Sequence, residues 1–156
     1  MFVRVLSALA LVLLSSTAFS QQSENGNQSR KLLVAVSHTG DDSVGVQLAF
    51  AVREAIRRSA AFELTSDSVA ALFTVSLVTA DPESGSASGR RTAGAVVFTM
   101  RNLLPFAKND PQTWYPIYLM GHVVIVAANK VNDSAQELLA SLDAQIENFK
   151  RESRRE

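Results

Sequence analysis

Blocks of apolar and polar residues along the chain predict several strands. LLVAVS, residues 32–37, is a short apolar run that favours a buried strand. Residues 71–80 and 92–100 are rich in β-branched residues, and the polar turn DPESGSASGR between them predicts a hairpin with a long tip. The first strand of that hairpin is expected near the centre of the sheet. FELTSD, residues 62–67, predicts an edge strand.

The longest strand candidate is PIYLMGHVVIVAAN, residues 116–129. Strict alternation divides it into two sides, one with Ile117, Leu119, Val123 and Ile125, the other with Tyr118, Met120, His122, Val124 and Val126. Both sides are largely apolar, which predicts a central position or a second covered face. Gly121 indicates a bulge or a close backbone approach. The preceding residues 101–114 contain two prolines and little periodicity, so they predict a loop.

Two segments have the periodicity of amphipathic helices. The first follows HTGDDS, where Asp41, Asp42 or Ser43 can cap the helix by accepting backbone N–H bonds. Its apolar face comprises Val44, Leu48, Ala51, Val52, Ala55 and Ile56. The second is predicted to begin at a capping box formed by Ser134 and Glu137. Its apolar face comprises Ala135, Leu138, Leu139, Leu142, Ile146 and Phe149.

The order of these elements is strand, helix, a run of strands, and helix. It predicts an α+β two-layer sandwich, with a mixed or mainly antiparallel sheet of about four or five strands and two helices on one face. The first strand–helix–strand unit is expected to form a parallel crossover.

The amino terminus has the plan of a secretory signal peptide. Arg4 gives a positive start, residues 5–14 are apolar, and the small residues Ala18 and Ser20 favour cleavage between Ser20 and Gln21. The alternative is an uncleaved anchor, although the apolar run is shorter than the ~20 residues that span a bilayer. We therefore expect a periplasmic or secreted protein without stable membrane insertion after cleavage.

The composition shift along the chain predicts four regions. They are a signal peptide at 1–20, a flexible polar leader at 21–31, one α+β domain at 32–150 and a charged tail at 151–156.

Charge and cysteine content exclude several classes of function. The chain has 156 residues, with 15 basic side chains balancing 15 acidic ones, so no overall field favours nucleic acid. It contains no cysteine, which excludes disulfides, cysteine nucleophiles and thiolate metal sites. HTGDDSVG lacks the lysine and glycine pattern of a phosphate loop. No cofactor and no catalytic residue are predicted.

Four residues of metal-ligand type form the main chemical alternative: His38, Asp41, Asp42 and His122. If they converged, they would suit a metal-dependent or acid/base hydrolase. Helix capping explains the two aspartates without any metal, and we take that interpretation as the better one. Trp114, Tyr115 and Tyr118 form an aromatic group that is a candidate binding surface.

The run LLVAVSHTGDDSVGVQLAFAVREAIRRSAAFELTSDSVAALFTVSLV covers about a third of the chain. It resembles the amino-terminal domain of the periplasmic translocation protein TolB, and related small envelope domains of assembly and secretion factors. It is also similar to other secreted bacterial proteins of this length. The resemblance implies an α+β domain used for protein contacts, with no catalytic residues to transfer. The chain differs from TolB because no propeller repeats follow.

These observations predict an exported, non-enzymatic binding or accessory domain of the bacterial cell envelope, whose partner is an envelope or periplasmic protein. Binding is expected at the loop 101–116, at the hairpin tip, or along an exposed sheet edge by strand addition. A homo-oligomer that uses an exposed sheet face is a third hypothesis.

Overall fold

The computed structural model describes residues 31–83, 85, 88–103 and 114–152. The predicted signal peptide, its cleavage site and the leader up to residue 30 lie outside the described residues. The elements are β1 (Leu32–Thr39), α1 (Ser43–Arg58), β2 (Phe62–Leu64), β3 (Phe73–Ala80), β4 (Arg91–Leu103), β5 (Trp114–Ala127) and α2 (Val131–Glu152).

The five strands form one mixed sheet in the order β2-β1-β3-β4-β5. β1 pairs in parallel with β2 on one side and with β3 on the other, whereas β3, β4 and β5 form an antiparallel meander. Two helices cover one face, and α1 supplies the crossover between β1 and β2. The predicted α+β two-layer sandwich is confirmed, as are β2 at an edge and β3 at the centre.

Helix α1 forms where its sequence predicts because both of its ends are capped. Asp42 is the N-cap, and its side chain accepts a hydrogen bond from the Gly45 N–H. The helix ends at Arg58, because Ser59 is extended (φ −68°, ψ 142°) and donates its N–H to Ile56 O. The predicted apolar stripe is buried against the sheet throughout.

The core lies between the sheet and the two helices. Leu48 and Ile56 of α1 and Leu142 of α2 are almost completely buried there, together with Phe62 and Phe98 from the sheet. Each such side chain contributes about 1.5–3 kcal/mol through apolar burial. Both helices therefore use their only long apolar face on the same side of the sheet.

The prediction that the longest strand is central, or covered on both faces, is wrong. β5 is an edge strand, and its second apolar face is exposed: Val123 is 90% and Ile125 73% exposed. The sequence pattern of β5 gave the wrong position because a strand with apolar side chains on both faces is normally covered by a layer on each face. Here only the helix side is covered by the described residues.

A bulge also changes which side chains of β5 share a face. Phe98 pairs with Met120 and Thr99 with Tyr118, so Leu119 has no partner position. Tyr118 therefore shares the face of Val123 and Ile125, contrary to strict alternation. The added methyl group of an alanine at Gly121 would meet Tyr118 Oη at 3.2 Å, so the close approach expected at this glycine is that of a tyrosine ring.

The start of the second helix also differs from its prediction. A 3₁₀ turn at Ala128–Lys130 leads directly into α2 at Val131, so Ser134 lies inside the helix and does not cap it. The helix continues to Glu152, into the predicted tail. The predicted loop 101–114 is partly strand, because β4 extends to Leu103 and β5 begins at Trp114. Its remainder, 104–113, lies outside the described residues.

Candidate functional site

The most organised polar group in the described part of the chain, which we call the polar cluster, consists of His38, Asp42, Thr79 and Thr92. His38 comes from the end of β1, Asp42 from the start of α1, and Thr79 from the end of β3. His38 Nε2 lies 2.8 Å from Thr79 Oγ1, and the Thr79 hydroxyl donates to Asp42 Oδ2 over 2.6 Å. The Gly45 N–H donates to Asp42 Oδ1 over 2.5 Å.

These bonds fix where the protons lie. An ionised Asp42 only accepts, so Thr79 must donate to it and can then only accept from His38. His38 therefore carries a proton on Nε2. Burial alone would raise the pKa of Asp42, but hydrogen bonds from Thr79, the Gly45 N–H and Thr92, with the charge of His38, bring it below its ordinary value.

Three glycines lie against Thr79: Gly40 in the turn between β1 and α1, Gly45 in α1 and Gly94 in β4. A methyl group added at Gly40 or Gly45 would overlap Thr79 atoms, and one at Gly94 would lie 3.0 Å from Thr79 Cγ2. Thr79 is only 6% exposed. Its hydroxyl is thus both hydrogen-bonded in two directions and closed off, which leaves no room for a substrate atom. The polar cluster therefore has the properties of a structural contact that holds β1, α1 and β3 together.

The four candidate metal ligands do not converge. His38 pairs with Leu77, Leu77 with Val96, and Val96 with His122, so both histidines lie in one row, three strand spacings apart. At ~4.8 Å per spacing, their backbones are roughly 14 Å apart, too far to share one ion. Asp41 is exposed next to the cap. Among the described residues, no group of three or more His, Cys, Asp or Glu side chains could hold a metal.

His122 lies on the helix side of β5, with its ring edge-on to Phe98 at 5.9 Å and 87°. Its Nε2 is buried and has no hydrogen-bond partner among the described residues. The residue also lines a groove of about 310 Å³ between the free side of β5 and α2. The groove is lined further by β5 from Val123 to Val126 and by Ser134, Glu137, Leu138 and Ser141.

The opposite side of the sheet offers a second surface, which we call the open face. It is defined by the positions of β3, β4 and β5 that point away from the helices: Thr74, Ser76, Val78, Ala80, Ala93, Ala95, Val97, Thr99, Tyr118, Gly121, Val123 and Ile125. None of these residues is charged, and the same face of β4 ends in Arg91 on one side and Arg101 on the other. Val78 is 56% exposed and Tyr118 65%, in addition to the β5 pair described above. Such contiguous apolar exposure is typical of a contact surface.

The aromatic group divides between two places. Tyr115, 44% exposed, lines a cavity of about 290 Å³ together with Thr74, Thr99 and Arg101. Tyr118 instead lies over Gly121 on the open face. The side chain of Trp114 lies outside the described residues. Thr74 and Thr99 belong to the open face, so the cavity next to Tyr115 lies at one end of that face, separate from the position of Tyr118 over Gly121.

Sequence reasoning found Asp42 but missed Thr79, Thr92 and the role of Gly94. A threonine near the end of an apolar strand carries no local signal, since its partners come from segments far away along the chain. Gly94 sits within TAGAVV, and only the pairing of β4 with β3 shows what approaches it.

Comparison with known proteins leaves the site to be interpreted from its own geometry. No protein-family model matches the chain, and the search of curated proteins found no match. In the described part of the chain, no helix combines the length and apolar character needed to cross a bilayer.

Proposed function

We propose that the chain is an exported, non-enzymatic binding or accessory domain of the bacterial cell envelope that acts through protein contacts. The observation that carries this proposal is the open face. It is uncharged between Arg91 and Arg101 at the two ends of β4, it extends over three strands, and it leaves Val78, Tyr118, Val123 and Ile125 more than half exposed. A flat apolar face of this kind suits a protein partner better than a small polar ligand.

The polar cluster supports the non-enzymatic part of the proposal. The buried Thr79 hydroxyl donates to a carboxylate, accepts from an imidazole and is surrounded by glycines, so it cannot approach a substrate. A catalytic nucleophile also needs a base, but it must remain accessible. The hydrolase alternative would further need His122, which lies in the same row as His38 but three strands away across the sheet.

Two sequence features support the location. The segment before Gln21 has the three parts of a signal peptide, and the resemblance to the TolB amino-terminal domain points to the envelope. Expression of the full chain in a bacterial host, followed by fractionation and amino-terminal sequencing, tests this part. We expect a processed chain in the periplasmic fraction that begins at Gln21. A chain that stays unprocessed in the cytoplasm would contradict the proposal.

The contact surface is tested with two matched substitutions. Val78→Lys places a charge on the β3 strand of the open face, and Phe50→Lys places one at a 61% exposed position of α1. Both positions are exposed, so each change should alter stability by less than about 0.5 kcal/mol.

Envelope proteins that are captured by the wild-type chain would be purified and titrated against both variants. We expect Val78→Lys to weaken binding at least about tenfold, because it buries an unpaired charge, and Phe50→Lys to have little effect. Equal binding by both variants would exclude the open face. Substrate turnover in a broad hydrolase screen, retained in Val78→Lys, would exclude the proposed function.

A further inference from the structure

The two edges of the sheet are built very differently. β2 is only three residues long and has the charged Glu63 at its centre, two devices that protect an edge from unwanted pairing. β5 is 14 residues long and contains no Lys, Arg, Asp or Glu. Its only proline, Pro116, lies near its start, so the rest of the strand keeps its backbone donors. A long, uncharged, apolar edge of this kind is a template for another strand.

The space beside β5 fits an added strand. The groove described above lies between the β5 edge and α2, and Val124, Val126 and Leu138 give it apolar walls. An added strand at the usual ~4.8 Å spacing would direct alternate side chains into this groove and the others onto the continuation of the open face. The side chains on the open-face side of an incoming strand meet apolar neighbours, whereas those on the groove side meet apolar walls together with Ser134, Glu137 and Ser141. β5 itself fits both sides, with Val123 and Ile125 on one face and His122, Val124 and Val126 on the other.

The absence of charge on β5 favours a second copy of the same strand. A two-fold axis places a surface against itself, so a charge on the edge close to the axis would lie near an equal charge on the other copy. Antiparallel pairing with Val124 opposite its own counterpart avoids such conflicts. It also puts Val123 of each copy opposite Ile125 of the other, so the two most exposed β-branched side chains cover each other.

The size of the contact agrees with this partner. From Ile117 to Ala127 the edge is about 35 Å long at ~3.3 Å per residue, and the sheet and helix layers together are roughly 20 Å thick. The strip is thus about 700 Å² per copy, close to the ~800 Å² per partner of a standard stable interface.

We infer that the chain forms a symmetric dimer with a second copy of itself, through antiparallel pairing of β5 with β5 and with Val124 on the two-fold axis. The dimer joins two sheets into one and leaves Val78 of each open face available, because β3 is two strands away from the paired edges. It goes beyond the proposed function and does not depend on it, because it needs only the purified chain.

Because the chain contains no cysteine, the register can be tested without background thiols. Two variants are made of the chain beginning at Gln21, Val123→Cys and Ile125→Cys, one of them with an affinity tag. In the inferred dimer, directly opposite positions have Cα atoms about 4.5–5.5 Å apart, within disulfide range, whereas diagonal positions are about 7–8 Å apart. We expect the oxidised mixture to give a tagged–untagged disulfide dimer on a non-reducing gel, and each variant alone to give little.

Light scattering separates edge pairing from stacking of the open faces. We expect the wild-type chain to be a dimer at about 100 µM, and Val123→Lys to raise the dissociation constant at least about tenfold. Val78→Lys is the matched control and should remain dimeric, since β3 is two strands away from the edge. A wild-type monomer, cross-linking by either variant alone as efficient as in the mixture, or loss of the dimer in Val78→Lys would each overturn the inference.

Discussion

The polar cluster and the β5 edge are opposites in how their polar and apolar groups are used. In the cluster, a carboxylate, a hydroxyl and an imidazole form hydrogen bonds with one another, and glycines pack closely around the hydroxyl. At β5, apolar side chains and backbone groups of the edge face outwards. The residue types that usually indicate chemistry are thus used for structure, while the residue types that usually indicate a core form the exposed surface.

This difference explains why the motif of the chain is a poor guide to its function. HTGDDS attracts attention because it concentrates ligand-type residues, yet its organised members hold the turn between β1 and α1 to β3. Function is better sought where the fold leaves favourable burial incomplete, as at Val123 and Ile125. The following predictions test the contrast from the largest expected effect to the smallest.

Gly45→Ala should destabilise the fold most. The added methyl group would overlap Thr79 Oγ1 and Asp42 Oδ2, and forced overpacking of a buried site costs about 3 kcal/mol. Chemical denaturation measures the loss. Gly85→Ala is the control, because no heavy atom of the described residues lies within 4 Å of its added methyl group once its chain neighbours are set aside. Only its left-handed φ of 65° is unfavourable, at about 1–2 kcal/mol. Equal losses would show that the cluster is not tightly enclosed.

Thr79→Val should have the next largest effect. It keeps the shape of the side chain but leaves Asp42 Oδ2 and His38 Nε2 without their shared partner, which costs about 2 kcal/mol. Thr99→Val makes the same change on the open face and should stay within about 0.5 kcal/mol of the wild type. Urea titrations of both variants compare the two surfaces directly. A loss at position 79 no greater than at position 99 would contradict the structural role.

Acid should lower the contribution of the polar cluster to the stability of the fold. Because the folded pKa of Asp42 lies below its ordinary value of 3.8, its contribution is fully present above that pH and is lost as the pH falls through the folded pKa. We expect Asp42→Asn to be less stable than the wild type near neutral pH, and the difference to shrink below about pH 4.

Asp81→Asn is a useful comparison for that titration. Hydrogen bonds from Ser88 and from the N–H groups of Glu83 and Gly89 also lower the pKa of Asp81, so the sign is the same. The effect should be smaller, because water can replace these bonds at the hairpin turn. Urea denaturation from about pH 2 to about pH 7 measures the stability difference for both variants. This range extends well below and well above the ordinary carboxyl pKa. A difference for Asp42→Asn that grows in acid would contradict the assigned ionisation.

The smallest effect should come from the two histidines, and with opposite signs. His122→Leu removes a buried Nε2 that lacks a partner among the described residues, and should raise stability by about 0.5–1 kcal/mol. His38→Leu removes the bond to Thr79 and should lower stability by about 1 kcal/mol. Thermal melts in a Val123→Lys background separate this effect from dimerisation. A stability change of the same sign in both variants would contradict the different roles that we assign to His38 and His122.

Local patterns were sufficient for much of the fold. The β-branched runs placed β1 and β3, the apolar stripe placed α1, and the cap at Asp42 was among three candidates. Ser134 misled because a capping box is equally compatible with a position inside a longer helix that a 3₁₀ turn has already started. The edge position of β5 was missed because its pattern reports which residues are apolar, not which layer is present to cover them.

The candidate site was less predictable because it is made by long-range pairing. His38 and Thr79 are 41 positions apart, and Asp42 and Thr79 are 37 apart. Only the parallel pairing of β1 with β3 brings them together. The metal hypothesis had the reverse problem, since it grouped residues by chemical type and needed the sheet order to show that His122 stands at the far side.

The mixed sheet also sets an order in which the fold can assemble. Contacts between β1 and β3 span 39 positions, as at Ser37 and Ser76, whereas those that close the β3–β4 hairpin span as few as 12. Loop-closure entropy favours the shorter connection, so the meander is the natural nucleus and β1 docks onto it later. In the export that we propose, β1 would leave the translocation channel before the other strands and yet be among the last to pair.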